Sequence, residues 1–273
     1  MGMSVPESLI NWQTGVNDYR GSLLQAFLDQ EALMLHCRDH SRRLLHAWRH
    51  ERGVLAGSRD AALVSWPRSV DGLCKSGFRV LVRPFGGLAI PVDFGVLNLT
   101  LVLPGEPALD EAFNELAHWL ADALTGYGHV NIGKVENSYC PGRFDLAIGG
   151  QKISGLAQRR IKGAVAVSAF VNLFPADYSR AALVRSLYEA EGVNATHRYP
   201  WLPSVHPDTV SDLFSLSQDT HFYSPHHFLT LLDSVHPLCQ IGVDLEEIIA
   251  PHREEASHRL KTLRNMSEWA PFQ

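Results

Sequence analysis

The chain has 273 residues, 45% hydrophobic and 19% charged, which is enough apolar surface to bury a sizeable core and excludes disorder as the default. Its net charge of -5 at pH 7 is spread along the sequence, so the basic face of a nucleic-acid binder is missing. The Met-Gly-Met-Ser start lacks the basic and apolar regions of a signal peptide, and no apolar run approaches the ~18 residues a membrane span needs, so a soluble cytoplasmic protein with no membrane partner is expected.

Leu24, Phe27, Leu28 and Leu35 recur at helical spacing and predict a first amphipathic helix. Strand-like stretches follow at 45–48, 78–82, 88–92 and 97–103, punctuated by Gly and Pro. Leu109, Ala112, Phe113, Leu116, Leu120 and Leu124 predict a second helix, with Asp110 and Glu111 where its dipole favours them. The pattern then returns to strand at 144–148, 152–155 and 164–173. Gly149-Gly150 between the first two of these is a hairpin signal, because primed turns need positive φ at both central residues. From about residue 180 the chain reads as helical, with Leu183, Val184, Leu187 and Tyr188 on one face. Leu245, Ile248, Ile249, Ala256, Leu260 and Leu263 form another, and this portion reads as structural. The expected fold class is α+β, with mixed β-sheets packed with helices in one catalytic domain over residues 1–273.

Cys37, Cys74, Cys140 and Cys239 lie far apart with no Cys-x-x-Cys pair, which argues against a disulfide framework or a zinc ribbon. Cys140 lies in Ser138-Tyr139-Cys140-Pro141-Gly142-Arg143-Phe144-Asp145-Leu146, a Pro/Gly turn just before a strand. Such a turn leaves a thiol partly exposed at a sheet end, where a nucleophile is useful. If Gly149 and Gly150 are the loop residues, Ile148 pairs with Gln151, Ala147 with Lys152 and Asp145 with Ser154. Lys152 and Asp145 then share a face. A lysine there serves to lower the thiol pKa, to polarise a carbonyl oxygen or to protonate a leaving amine; a solvated Lys/Asp pair is the plainer alternative. A second cluster, Arg83-Pro84-Phe85-Gly86-Gly87-Leu88-Ala89, offers backbone N–H donors to a carboxylate, a phosphate or an acyl carbonyl, or is simply a tight turn. His206, His226-His227 and Cys239 match no metal motif, and neither a metal nor a cofactor is expected.

Taken in order over roughly residues 20–190, these segments resemble the lipoate-protein ligase and octanoyltransferase superfamily, whose fold is related to that of biotin protein ligases. The segment 82–88 partly matches the family's Arg-Arg-x-Ser-Gly-Gly-Gly, with Pro84-Phe85 replacing its polar stretch. Asp93 to Asn98 resembles Asp-x-Gly-x-x-Asn, and Lys152-Ile153-Ser154-Gly155-x-Ala157-Gln158-Arg159-Arg160 resembles the family's lysine segment. Ser-Tyr-Cys-Pro-Gly-x-Phe-Asp-Leu with Gly-Gly-Leu-Ala and Gly-Val-Leu-Asn is most similar to the octanoyl-[glycine cleavage H protein]:protein N-octanoyltransferases. That resemblance implies octanoyl transfer from octanoylated glycine cleavage H protein to the lipoyl domains of 2-oxoacid dehydrogenases. It implies Cys140 as the acyl-thioester nucleophile and Lys152 as the lysine that binds the acyl carbonyl. The substrate-binding residues would be Arg83, Gly86, Gly87, Leu88, Asp145, Ser154 and Gly155. Leu88, Ala89 and strand residues near Val165 and Val167 either line an acyl slot or simply pack the core, and Arg159 and Arg160 either meet an acidic carrier domain or form a solvated sheet edge. An octanoyl-acyl carrier protein donor, an ATP-dependent lipoate-protein ligase and a non-catalytic lipoyl-domain binding protein are the rival readings. The oligomeric state is left open.

Overall fold

The computed structural model describes residues 10–12, 16–217, 224–240, 244–263 and 266–270. Its first half runs β1 (Ile10–Trp12), β2 (Asn17–Tyr19), α1 (Leu23–His40), β3 (Leu44–His50), β4 (Arg52–Ala56), α2 (Trp66–Lys75), β5 (Arg79–Val82), β6 (Ile90–Asp93), β7 (Val96–Pro104) and α3 (Leu109–Ala123). There follow β8 (Val130–Ile132), β9 (Leu146–Ile148), β10 (Gln151–Ile161), β11 (Ala164–Asn172) and α4 (Arg180–Glu189). The rest is α5 (Ala195–Arg198), α6 (Leu213–Leu216), α7 (Pro225–Val235), β12 (Leu238–Gln240), α8 (Leu245–Ile249), α9 (Arg253–Lys261) and β13 (Glu268–Trp269). No helix among the described residues is long and apolar enough to cross a membrane.

The strands form two mixed sheets. The larger has the order β12-β1-β3-β7-β11-β10-β9-β8, with β2 also on β3, and the smaller has the order β13-β5-β4-β6. Leu97, Leu99, Leu101 and Leu103 of β7 and Val165, Val167, Ala169 and Val171 of β11 face one core with α3 and α7. The alternate residues Val96, Val102, Ala164, Ala166 and Phe170 face the other core, shared with α1 and the small sheet. This follows the period-2 alternation of strand side chains. Small residues at 164, 166 and 168 leave room for α1 to lie against the sheet.

The α+β expectation holds, with mixed sheets covered by helices. Two local expectations fail. The helix α1 is not an amphipathic surface helix, because the C-terminal α8 and α9 cover its outer side, and Asp29, Gln30 and Glu31 are buried together with its apolar residues. Arg159 is not a free docking residue: its Nε lies 2.7 Å from Glu31 Oε2, and Arg259 Nε lies 2.7 Å from Glu31 Oε1. Arg160 bonds Gln158 and the Pro107 carbonyl.

Glu31 thus joins α1, β10 and α9 through one carboxylate that is 1% exposed. Glu31→Ala is expected to lower unfolding stability, measured in urea, by about 2–3 kcal/mol. That is below the ~3–5 of a wholly buried pair, because Arg259 keeps part of its hydration.

Candidate active site

The hairpin pairs Ile148 with Gln151 and Ala147 with Lys152, as the Gly149-Gly150 turn predicts. The next pair is Leu146 with Ser154, not Asp145 with Ser154, because Ile153 is an extra residue that shifts the register. That bulge matters: a regular strand would put Lys152 and Gly155 on opposite faces, and one inserted residue brings them to the same side. A Cβ at Gly155 would lie 3.1 Å from Lys152 Nζ and 2.8 Å from Phe170 Cε1, so only glycine leaves the ammonium its place.

Lys152 is 0% exposed. Its ammonium bonds the carbonyl oxygens of Tyr139 at 3.0 Å and Cys140 at 2.8 Å, and Asp145 Oδ1 at 2.9 Å. Asp145 turns its other oxygen back to the N–H groups of Gly142 at 3.0 Å and Val135 at 3.3 Å. Burial pushes the Asp145 carboxyl above the usual carboxylate range, while Lys152 and these N–H groups pull it back. The turn 139–145 is therefore tied at both ends. Tyr139 anchors it from below, fully buried 5.6 Å from the Phe170 ring, with its hydroxyl paired to Asn172.

Cys140 sits at φ +44°, a left-handed conformation that costs a non-glycine residue ~1–2 kcal/mol. Its half-buried sulfur turns toward the glycine loop, not toward the lysine. The Leu88 N–H donates to Sγ at 3.0 Å, and Arg83 Nη2 stands 3.8 Å away. Arg83 is held by the carbonyls of Leu55 at 2.7 Å, Gly86 at 3.2 Å and Leu88 at 2.8 Å. Gly87, at φ +99°, passes so close that a Cβ there would lie 2.9 Å from Sγ. The loop that the sequence offers to a substrate thus points at the thiol itself.

Behind Cys140 opens a narrow, mostly apolar cavity of about 40 Å³, partly open to solvent. Phe27 and Gln30 of α1, Trp48 of β3, Phe85, Ile90 and Phe170 line it. Val165 and Val167 do not, because they face the α3 core on the other side of the sheet, and Ala157 and Ser168 take the cavity side. Leu88 contributes its N–H, and Ala89 is buried in the core. Ser154 is sealed opposite Val171, its hydroxyl without a hydrogen bond, and does not reach the cavity. His206, His226 and His227 form no metal-holding group among the described residues, and the Cys239 side chain lies outside them.

Sequence reasoning missed Asp60. It is fully buried beneath the glycine loop, accepts the Gly57 N–H at 2.7 Å and the Tyr188 hydroxyl at 3.1 Å, and stands near enough to Arg83 to feel its charge. Gly57 lets the two loops pass, since a Cβ there would collide with the Gly87 carbonyl. Nothing in Gly57-Ser58-Arg59-Asp60 signals this role in advance.

The family described as lipoyl protein ligase A/B catalytic domain matches residues 23–213. Among curated relatives, the Octanoyl-[GcvH]:protein N-octanoyltransferase of Geobacillus kaustophilus is 34% identical over 177 residues, 63% of this chain and 62% of that protein. The protein of the same name from Exiguobacterium sibiricum is 37% identical over 179 residues, 64% of each. These matches span a little under two thirds of those relatives. The Lipoyl-[GcvH]:protein N-lipoyltransferase of Listeria monocytogenes is 32% identical over 204 residues, 72% of each chain. In fold, the chain is similar to a lipoate-protein ligase A solved with bound ATP, at TM-score 0.63 and 17% identity over 91% of this chain and 96% of that one. It is also similar to protein Ta0514 of T. acidophilum, at TM-score 0.66 and 17% identity over 94% of this chain and 97% of that one.

The fold is thus that of the lipoate-protein ligases. The chain belongs to the lipoyl protein ligase A/B catalytic-domain family.

Burial pushes the Asp60 carboxyl up to about 6, against the lowering pull of the Gly57 N–H and Arg83. A folded value above the unfolded one means that its contribution to stability is full below about pH 4 and is lost as pH rises through about 6. Asp60→Asn carries no such dependence. Urea unfolding at pH 4.5 and 7.5 should show the variant gaining on wild type by about 2 kcal/mol as pH rises, and a constant difference would contradict this.

Proposed function

We propose that this protein is an acyltransferase that moves an octanoyl group from a lysine of octanoylated glycine cleavage H protein to a lysine of a lipoyl domain, by way of a thioester on Cys140. The whole chain works as one catalytic domain in this reading. The observation that carries it is the Cys140 sulfur at the mouth of an apolar cavity, with the Leu88 N–H and the Arg83 guanidinium aimed at it. The names of the relatives point the same way.

The thiolate, whose charge the two donors face, attacks the carbonyl carbon of the octanoyl-lysine amide. Lys152 keeps its bond to the Cys140 carbonyl, and its positive charge behind the turn steadies the tetrahedral oxyanion. The C–N bond then breaks as a solvent water gives the departing amine a proton, and a C–S bond to the acyl group remains. The ε-amine of the acceptor lysine attacks that thioester and returns a proton to the water, the C–S bond breaks and the thiolate is restored. One amide replaces another, so ATP has no place in the balance. The octanoyl tail, at ~0.8 kcal/mol per buried methylene, contributes on the order of 5 kcal/mol in the cavity lined by Phe27, Trp48 and Phe170.

Purified protein incubated with octanoylated H protein and a lipoyl domain, without ATP, should show by intact mass an octanoyl adduct that hydroxylamine removes. Cys140→Ala should lack both adduct and transfer. Lys152→Ala, checked for folding by circular dichroism, should lose on the order of 10²–10⁴-fold in turnover. Strict ATP dependence with a fully active Cys140→Ala would assign the chain to the ligases instead. A protein that binds the lipoyl domain and transfers nothing would make it a binding module.

A further inference from the structure

Three imidazoles meet where the C-terminal end of α1 touches the turn that leads into α9. His36 and His40 are one helical turn apart and stack with ring centroids 4.1 Å apart. His252 sets its ring edge-on to both, at 5.6 Å from His36 and 6.4 Å from His40. One ring nitrogen of each lies within 4.8 Å of the others, and this is the one such group of histidine, cysteine and acidic side chains found among the described residues.

Two flanking contacts bear on these rings. His40 Nδ1 lies 3.0 Å from the His36 carbonyl oxygen and donates to it, which leaves Nε2 with a free lone pair. His252 Nδ1 lies 3.8 Å from Asp39 Oδ2, beyond hydrogen-bond range but near enough for the carboxylate to favour a cation beside the ring. Arg38 holds both oxygens of Asp39, at 2.6 Å from Oδ1 and 3.1 Å from Oδ2, and bonds Glu255 Oε1 at 3.1 Å.

We propose that His36, His40 and His252 form a binding site for a zinc-class divalent ion, with water as the fourth ligand, that clasps α1 to the C-terminal helices. In a tetrahedral site, Zn–N bonds of about 2.0–2.1 Å set the nitrogens about 3.4 Å apart. The ring nitrogens, now within 4.8 Å with His36 and His40 stacked, reach that spacing when the exposed His40 swings out of the stack. Three neutral imidazoles select Zn²⁺, Ni²⁺ or Cu²⁺ over the oxygen-seeking Mg²⁺ and Ca²⁺. The i, i+4 pair on one helix supplies two ligands in fixed register, and His252 supplies the third from a different part of the chain. Bound metal therefore resists separation of α9 from α1, the same contact that Glu31 closes through Arg259.

Tag-free, chelator-stripped protein titrated with Zn²⁺ in a calorimeter should bind one equivalent per chain, and Zn²⁺ but not Mg²⁺ should raise Tm. Co²⁺ should give the visible absorption of a tetrahedral site. His40→Ala, at an exposed position, should weaken binding by at least about tenfold. His226→Ala, on α7, should leave binding unchanged. Equal Zn²⁺ affinity in His40→Ala and wild type, or no binding below millimolar Zn²⁺, would overturn the proposal.

Discussion

The geometry around Cys140 depends on one buried ammonium. Bringing Lys152 into the interior costs several kcal/mol of lost hydration even after relaxation, so the charge has to be met on every side. Its acceptors, two carbonyls and the Asp145 carboxylate, all come from the turn 139–145. That turn cannot shift without leaving a buried charge unpaired. The left-handed backbone at Cys140, a strain of about 1–3 kcal/mol, persists because the lysine bonds the carbonyl of that same residue. The lysine fixes the cysteine through its backbone, and the sulfur is left for other partners.

Those partners come from across the molecule. Arg83 and Leu88 belong to the loop that joins β5 to β6 of the small sheet, whereas Cys140 belongs to the connection between β8 and β9 at one edge of the large sheet. They meet only because side chains are missing at the points of contact. Gly57 lets the Asp60 loop slip under the Gly87 carbonyl, Gly87 lets the loop approach the sulfur, and Gly155 gives the lysine head a place against Phe170. Each close approach places a donor, and Asp60 beneath them holds opposite charge near Arg83.

Much of this was legible in the sequence because it is local. Gly149-Gly150 sets a two-residue hairpin, and the hairpin alone puts Lys152 on the same side as Asp145. The apolar runs at 97–103 and 164–173 mark β7 and β11 as strands. What was not legible depends on choices that local pattern leaves open. A bulge at Ile153 cannot be told from a regular strand, yet it decides that Lys152 joins Gly155 and that Ser154 turns away. Alternation marks two faces without saying which one meets α1, and it is Ser168 and Phe170, near Val167, that reach the cavity while Val165 and Val167 face the other core. Charged Asp29, Glu31 and Arg159 read as solvated until distant segments close over them, since Arg259 lies 228 residues from its partner.

The cavity itself bears on selectivity. Gln30 and Ser168 stand among its apolar walls, but Gln30 Oε1 accepts from Thr100 at 2.9 Å, and Thr100 and Ser168 share a hydrogen bond of 2.8 Å. These polar groups satisfy one another, so an apolar chain can lie against them without stripping a partner from either. Such a wall asks for no hydrogen bond from the ligand, and an apolar site of this kind separates chains that differ by one methylene by only about 1–3 kcal/mol. Sharp discrimination, of the sort a site gains by leaving a buried donor unpaired with the wrong ligand, has no foundation here. Under the proposed reaction, the choice between acyl donors then falls to the protein surfaces that meet around the thiol. The cavity contributes affinity and alignment of the carbonyl.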